Sequence, residues 1–161
     1  MTTVYQQEGL DCYNIVERSL KNHLNIISRF GGYFDIPDES YNPMRKQYDP
    51  RCLIERLKEL DGNEHELKVG VVDVDIYVGG TKFIFGIAHP LHRSAIVSVH
   101  RLAGPKLHER VSKEAVHEAG HLLGLQHCAD PGCVMHFSNT IEDTDQKAER
   151  LCEKCRRMIE E

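Results

Sequence analysis

Along the chain the apolar positions change period repeatedly, and each change marks the boundary of a predicted element. "TTVYQQ" at residues 2–7 is β-branched and aromatic and predicts a short opening strand. Leu10, Ile15, Val16, Leu20 and Leu24 then recur at helical spacing, so a helix is expected from Leu10 to about Leu20, with "NIISRF" (25–30) as the next strand. "DIPDESYNPMRKQYDPR" (35–51) is dense in Pro, Asp, Asn and Tyr and predicts a loop. That loop ends in a helix start, because Asp49 can cap and Pro50 suits the first helical position ahead of "RCLIERLKEL".

Next, "KVGVVDVDIYVGG" (68–80) is nearly continuous in apolar, β-branched residues, as a strand buried on both faces should be. "TKFIFGIA" and "SAIVSVHRL" predict two more strands, joined by "HPLHR" as a hairpin or crossover. Val111, Ala115, Val116, Ala119, Leu122 and Leu123 then form the apolar face of a helix that stops at Gly124. A polar, irregular tail leads into a charged helix beginning near Asp143 or later and running to the C-terminus. The order predicts an α/β fold with a mixed, mostly parallel five-stranded twisted sheet. Within a single domain, residues 1–124 would form an N-terminal lobe ending in that helix, and 125–161 a small helical lobe with little core of its own.

The helix ending at Gly124 opens "VHEAGHLLGLQHCADPGCVM" (116–135). His117 and His121 are four residues apart, so on a helix their imidazoles lie one above the other on one face and aim at a common point. Glu118 sits about 100° around the helix from His117, where its carboxylate can reach a water without itself being a ligand. Gly124 can take the positive φ that ends a helix and turns the chain sharply. His127 is then brought back as a third ligand. With this chain's own frequencies, the pattern H-E-x-x-H-x-x-G-x-x-H is expected by chance on the order of 10⁻⁴ times. Three neutral imidazoles and one open position suit a catalytic zinc, and a water activated there with Glu118 as base implies amide hydrolysis.

Six cysteines are present, and four of them, Cys128, Cys133, Cys152 and Cys155, cluster as two pairs. Two thiolate pairs separated by a loop match a closed structural zinc site, which would clip the small lobe and bring the count to two ions per chain. Cys12 and Cys52 have no partner pattern and read as thiols of the core or surface. His89, His92, His100 and His108 have no ligand spacing and read as structural or solvated.

The combination "HEAGHLLGLQHC", "CVM" and "CEKC" resembles the archaemetzincins, a cysteine-bearing branch of the metzincin zinc peptidases, and the resemblance extends upstream through "VVDVDIYVGGTKFIFGIAH" and "SAIVSVHRL". It implies a metzincin-like fold in which His117, His121 and His127 hold the catalytic zinc, Glu118 is the base, and the four clustered cysteines hold the second zinc. Met135 would be the Met-turn methionine beneath the histidines; from the residues alone it reads as core packing. An antiparallel strand at the sheet edge, here "KFIFG", would line the cleft, and a peptide could add to it as a further strand. The resemblance also implies aminopeptidase action, while the residues show no acidic or aromatic cluster for an α-amine and leave exopeptidase and endopeptidase both open. Some metzincins carry a tyrosine just beyond the Met-turn, but this chain has His136 and Phe137, which leaves the oxyanion partner open.

Composition narrows the partners. With 25 acidic against 20 basic residues spread along the chain, the net charge of -5 gives no footprint for nucleic acid. The N-terminus shows no charged and apolar leader, and no apolar run is long enough to span a bilayer. The expectation is a cytoplasmic, monomeric peptidase acting on peptides. The alternative is a zinc-stabilised binding or regulatory module with a latent site, motivated by Cys128 as a soft ligand directly beside His127.

Overall fold

The computed structural model describes residues 1–60 and 65–160. The chain alternates largely as the apolar pattern predicts: β1 (Thr2–Gln7), α1 (Tyr13–Leu24), β2 (Ser28–Phe34), a small hairpin of β3 (Tyr41–Asn42) and β4 (Gln47–Tyr48) inside the segment expected to be a loop, α2 (Pro50–Glu59), β5 (Leu67–Val72), β6 (Gly86–His89), β7 (Ser94–Ser98) and α3 (Leu107–Leu122). The main sheet has five strands in the order β2-β1-β5-β7-β6. Its pairs are parallel apart from the edge strand β6, which runs antiparallel to β7. The sheet is mixed and mostly parallel, as expected.

Alternate residues of the central strands serve two cores, which is why their apolar runs are continuous. Val4 and Val71 face a cluster with Val16 and Leu20 of α1 and Ala115, Val116 and Ala119 of α3. Tyr5, Val72 and Ile96 face the other, with Leu53, Ile54 and Leu57 of α2. The α2 start forms as predicted: the Asp49 side chain accepts from the Arg51 amide at 3.0 Å, with Pro50 in the first turn. Its C-terminal end is closed from the sheet, where the Lys68 ammonium donates to the carbonyls of Leu57 at 3.0 Å and Leu60 at 2.7 Å.

Three boundaries differ from the sequence pattern, each for a local reason. Asn25 caps α1 in the left-handed conformation rather than opening a strand, so β2 starts at Ser28. The expected strand 68–80 leaves the sheet after Val72, because Asp73 and Asp75 find polar partners at the sheet's end. The Asp73 amide donates to Gln7, and the Asp75 carboxylate accepts from Arg101 at 2.7 Å and 2.8 Å. The antiparallel edge strand is Gly86–His89 rather than "KFIFG"; Phe83 and Phe85 pack edge to face ahead of it. "HPLHR" makes a hairpin through a turn in which Arg93 is left-handed, so the crossover alternative does not occur.

The tail holds two short helices instead of one, α4 (Ile141–Gln146) and α5 (Glu153–Glu160). Between them the chain is pinned to the turn near Met135: the Val134 amide donates to the Arg150 carbonyl at 3.1 Å and the Ala148 amide to Gly132 at 2.9 Å. Cys133, Val134, Met135, Leu151 and Cys155 pack in the same core as α1 and α3. No helix among the described residues is long and apolar enough to cross a membrane.

Candidate metal centres

α3 is buried for most of its length, and its last two turns carry His117, Glu118 and His121. The helix ends in a Schellman pair, the Gly124 amide donating to the His121 carbonyl and the Leu125 amide to the Gly120 carbonyl, each at 3.0 Å. Gly124 takes φ +99°, the left-handed conformation that this closure needs. The turn returns His127 to the helix, and the ligand atoms of His117, His121 and His127 lie within 4.8 Å of one another.

The orientation of two rings is fixed by backbone. His117 Nδ1–H donates to the Val134 carbonyl at 2.7 Å and His121 Nδ1–H to the Leu125 carbonyl at 2.8 Å. A carbonyl only accepts, so both protons sit on Nδ1 and both Nε2 atoms present lone pairs. Those two Nε2 atoms are 3.2 Å apart, close to the roughly 3.3 Å separation of two nitrogens tetrahedrally bound at about 2.0–2.1 Å from zinc. Facing lone pairs at that distance call for a cation between them. Burial holds all three imidazoles below their ordinary pKa, His117 most strongly, which keeps them neutral and free to ligate.

Glu118 is buried beside this trio, and burial, followed by the nearby Glu114 carboxylate, pushes its carboxyl well up. It lies against the edge strand: a Cβ on Gly86 would stand 2.6 Å from Glu118 Oε2 and 2.8 Å from the Ile96 carbonyl. Met135 lies beneath the helix, its Sδ 2.5 Å from where a Cβ on Gly120 would be. Phe137 packs on the His127 ring at 5.1 Å, whereas His136 turns away and its Nδ1 donates to the Cys128 carbonyl at 2.8 Å. A cleft of about 500 Å³ opens in front of the histidines, walled by Ile84, Phe85, Ile87 and Phe137.

The sulfurs of Cys128, Cys133, Cys152 and Cys155 form a second group within 4.8 Å of one another. Cys128 and Cys152 are 3.8 Å apart, matching the edge of a tetrahedron with Zn–S about 2.3 Å, which is roughly 3.8 Å. The Cys133 sulfur accepts from the amides of Met135 at 3.4 Å and Cys152 at 3.3 Å, as a thiolate would. Burial raises the Cys133 and Cys155 thiols, while a backbone hydrogen bond lowers Cys152. Both donor sets fit zinc. Cys128 turns to the thiol group, away from the histidines with which it would otherwise compete. Cys12 and Cys52 join neither group. His89 and His92 stack on each other at 4.1 Å, and His100 pairs with Asp73 at 3.3 Å.

The residue pattern did not single out Gly86, Gly120 or Glu114. The two glycines are needed for what approaches them from distant sequence, and no spacing rule reveals that. Glu114 could have been noticed, since it stands four residues before Glu118 on the same helix face.

A mixed sheet backing a helix that, with the turn after it, aims three imidazoles at one point, with a carboxylate beside them, is the framework of a zinc metallopeptidase. The family model described as Peptidase family M54 matches residues 19–161. The archaemetzincin of Pyrococcus furiosus is 46% identical over 132 residues, covering 76% of this chain and 69% of that protein. The crystal structure of the archaemetzincin of Methanopyrus kandleri superposes with a TM-score of 0.90 at 32% identity, covering 99% of this chain and 92% of that one. A zinc-dependent peptidase from Methanocorpusculum labreanum gives a TM-score of 0.86 at 27% identity, over 99% and 100% of the two chains. This chain belongs to the archaemetzincins, Peptidase family M54.

Proposed function

We propose that the chain hydrolyses peptide bonds at the His117, His121 and His127 centre, with Glu118 as general base, and that Cys128, Cys133, Cys152 and Cys155 hold a second, structural zinc. The observation that carries the reading is the pair of facing Nε2 lone pairs 3.2 Å apart, fixed by the carbonyls of Val134 and Leu125. His117, His121 and His127 would hold a zinc ion, which when bound would supply Lewis acidity to polarise a carbonyl and lower the pKa of water. Glu118 takes the proton from the attacking water and hands it to the leaving nitrogen. Gly86 lets the edge strand close on that carboxylate, so the base is held at one place.

The substrate backbone pairs with β6. Phe85 gives its carbonyl to Ser98 at 2.8 Å, so Phe85, Ile87 and His89 spend their backbone groups on β7, while Gly86 and Ala88 turn theirs to the cleft. We further propose short peptides as substrates, trimmed from their amino end, in the cytoplasm and by a monomer. Residues 1–124 supply the helix with His117 and His121, and residues 125–161 supply His127, Met135 and the thiol group.

The test is Glu118→Ala assayed beside its zinc content. Turnover is expected to fall by about 10²–10⁴-fold with both metals retained. Full turnover, or loss of the metal at the histidines, would contradict the role given to Glu118.

A further inference from the structure

Lys147 belongs to no motif, yet its side chain is wholly buried, a rare position for lysine. It stands just past α4, and its ammonium has two partners. One is Glu114 Oε1 at 3.4 Å, itself buried and also accepting from Thr144 Oγ1 at 3.3 Å. The other is the His136 carbonyl at 3.1 Å.

These partners are not arbitrary parts of the fold. Glu114 lies on α3 one turn before Glu118 and three residues before His117, and it lines the cleft. His136 directly follows Met135, in the turn whose Val134 carbonyl fixes His117 at 2.7 Å. The His136 ring reaches on to the Cys128 carbonyl, beside His127. Lys147 is therefore the node at which the helix bearing two histidines meets the turn that orients one of them and the segment that delivers the third. The docking of α4 on α3 is secured separately: Lys113 Nζ donates to the carbonyls of Thr144 and Asp145 at 3.0 Å and 3.3 Å. A buried ion pair is a poor way to gain stability compared with apolar packing.

We infer that Glu114 and Lys147 are positioning residues for the histidine centre: the pair locks the Met135 turn against α3, so that His117 and His127 keep the bearing a metal ion needs. This rests on the assignment of the three histidines as ligands. Groups that orient ligands in this way typically change metal affinity by about 10–100-fold.

The test uses the full chain with Glu114→Gln and Lys147→Met together, so that neither charge is left buried alone, and cobalt(II) as the probe. Sulfur-to-cobalt charge-transfer absorption reports the cysteine site, and visible ligand-field bands without it report the histidine site. In the double variant the melting temperature and the charge-transfer band should stay near the parent's. Cobalt affinity at the histidines should fall about 10–100-fold, with an altered ligand-field envelope. Glu114→Gln alone leaves the Lys147 ammonium buried without its carboxylate and should lose at least as much. Unchanged affinity and spectrum in both variants would overturn the proposal. So would joint loss of melting temperature and charge-transfer band in the double variant, which would make the pair a brace for the whole fold. A parent that takes no cobalt at the histidines would overturn the site assignment and this proposal with it.

Discussion

His117 and His121 are prepared for a cation before one arrives, because two backbone carbonyls decide where their protons sit. The same economy governs the carboxylate beside them. Glu118 is held where Gly86 has no side chain, and a methyl there would meet both its carboxylate and the Ile96 carbonyl, the second of which cannot swing aside. Gly86→Ala is therefore expected to lower kcat/KM by roughly 10²-fold through displacement of Glu118, the proposed base. It should also destabilise by about 1–3 kcal/mol, read by peptide assay and thermal melt; parent-like activity would contradict the placement. The pairing of His117 with His121 was legible in sequence because a helix turns a four-residue spacing into one face. Gly86 and Lys147 were not, since their surroundings come from residues far away along the chain.

At the scale of elements, the edge strand and the helix it faces define the cleft. β6 was legible as an antiparallel strand but its position was not, because Phe83 and Phe85 have strong strand propensity and are used instead for aromatic packing. Ala88 turns its amide to the cleft, so Ala88→Pro removes a donor for substrate without removing a bond to β7. KM should rise by about ten-fold, the worth of one hydrogen bond, with the melting temperature nearly unchanged; an unaltered KM would argue against strand pairing by the substrate. α4 is docked on α3 by Asp145 and Arg110, whose hydrogen bonds hold the Asp145 carboxyl below its ordinary pKa. A depressed folded pKa contributes stability above the unfolded value, near 3.9, and that stability is lost as pH falls through the folded one. Asp145→Asn should thus be less stable than the parent at pH 7, by under about 1 kcal/mol, and the gap should close below about pH 4. A gap independent of pH would show that the carboxylate charge plays no part.

Over the whole molecule, the two candidate metal centres are joined through one short stretch. His127 and Cys128 are neighbours, and Val134, whose carbonyl fixes His117, follows Cys133. The apolar pattern anticipated the alternating α/β order and a tail with little core, and the tail does share the core of α1 and α3. It did not anticipate two helices there, because the break between them is set by amide pairing to the distant Met135 turn. Cys152→Ser should lower the melting temperature by on the order of 10 °C, as structural zinc sites contribute directly to folding. Activity should fall with it, since the turn that orients His117 is loosened; an unchanged melting temperature and zinc content would contradict a four-thiolate site. The most direct test of the central claim is a mass-spectrometric digest of a peptide library by the zinc-loaded protein, beside the same protein stripped of metal and reloaded. Cleavage is expected to disappear on stripping and to return with zinc, with cut bonds near the amino ends of short peptides. No cleavage from protein carrying zinc at its histidines would contradict it.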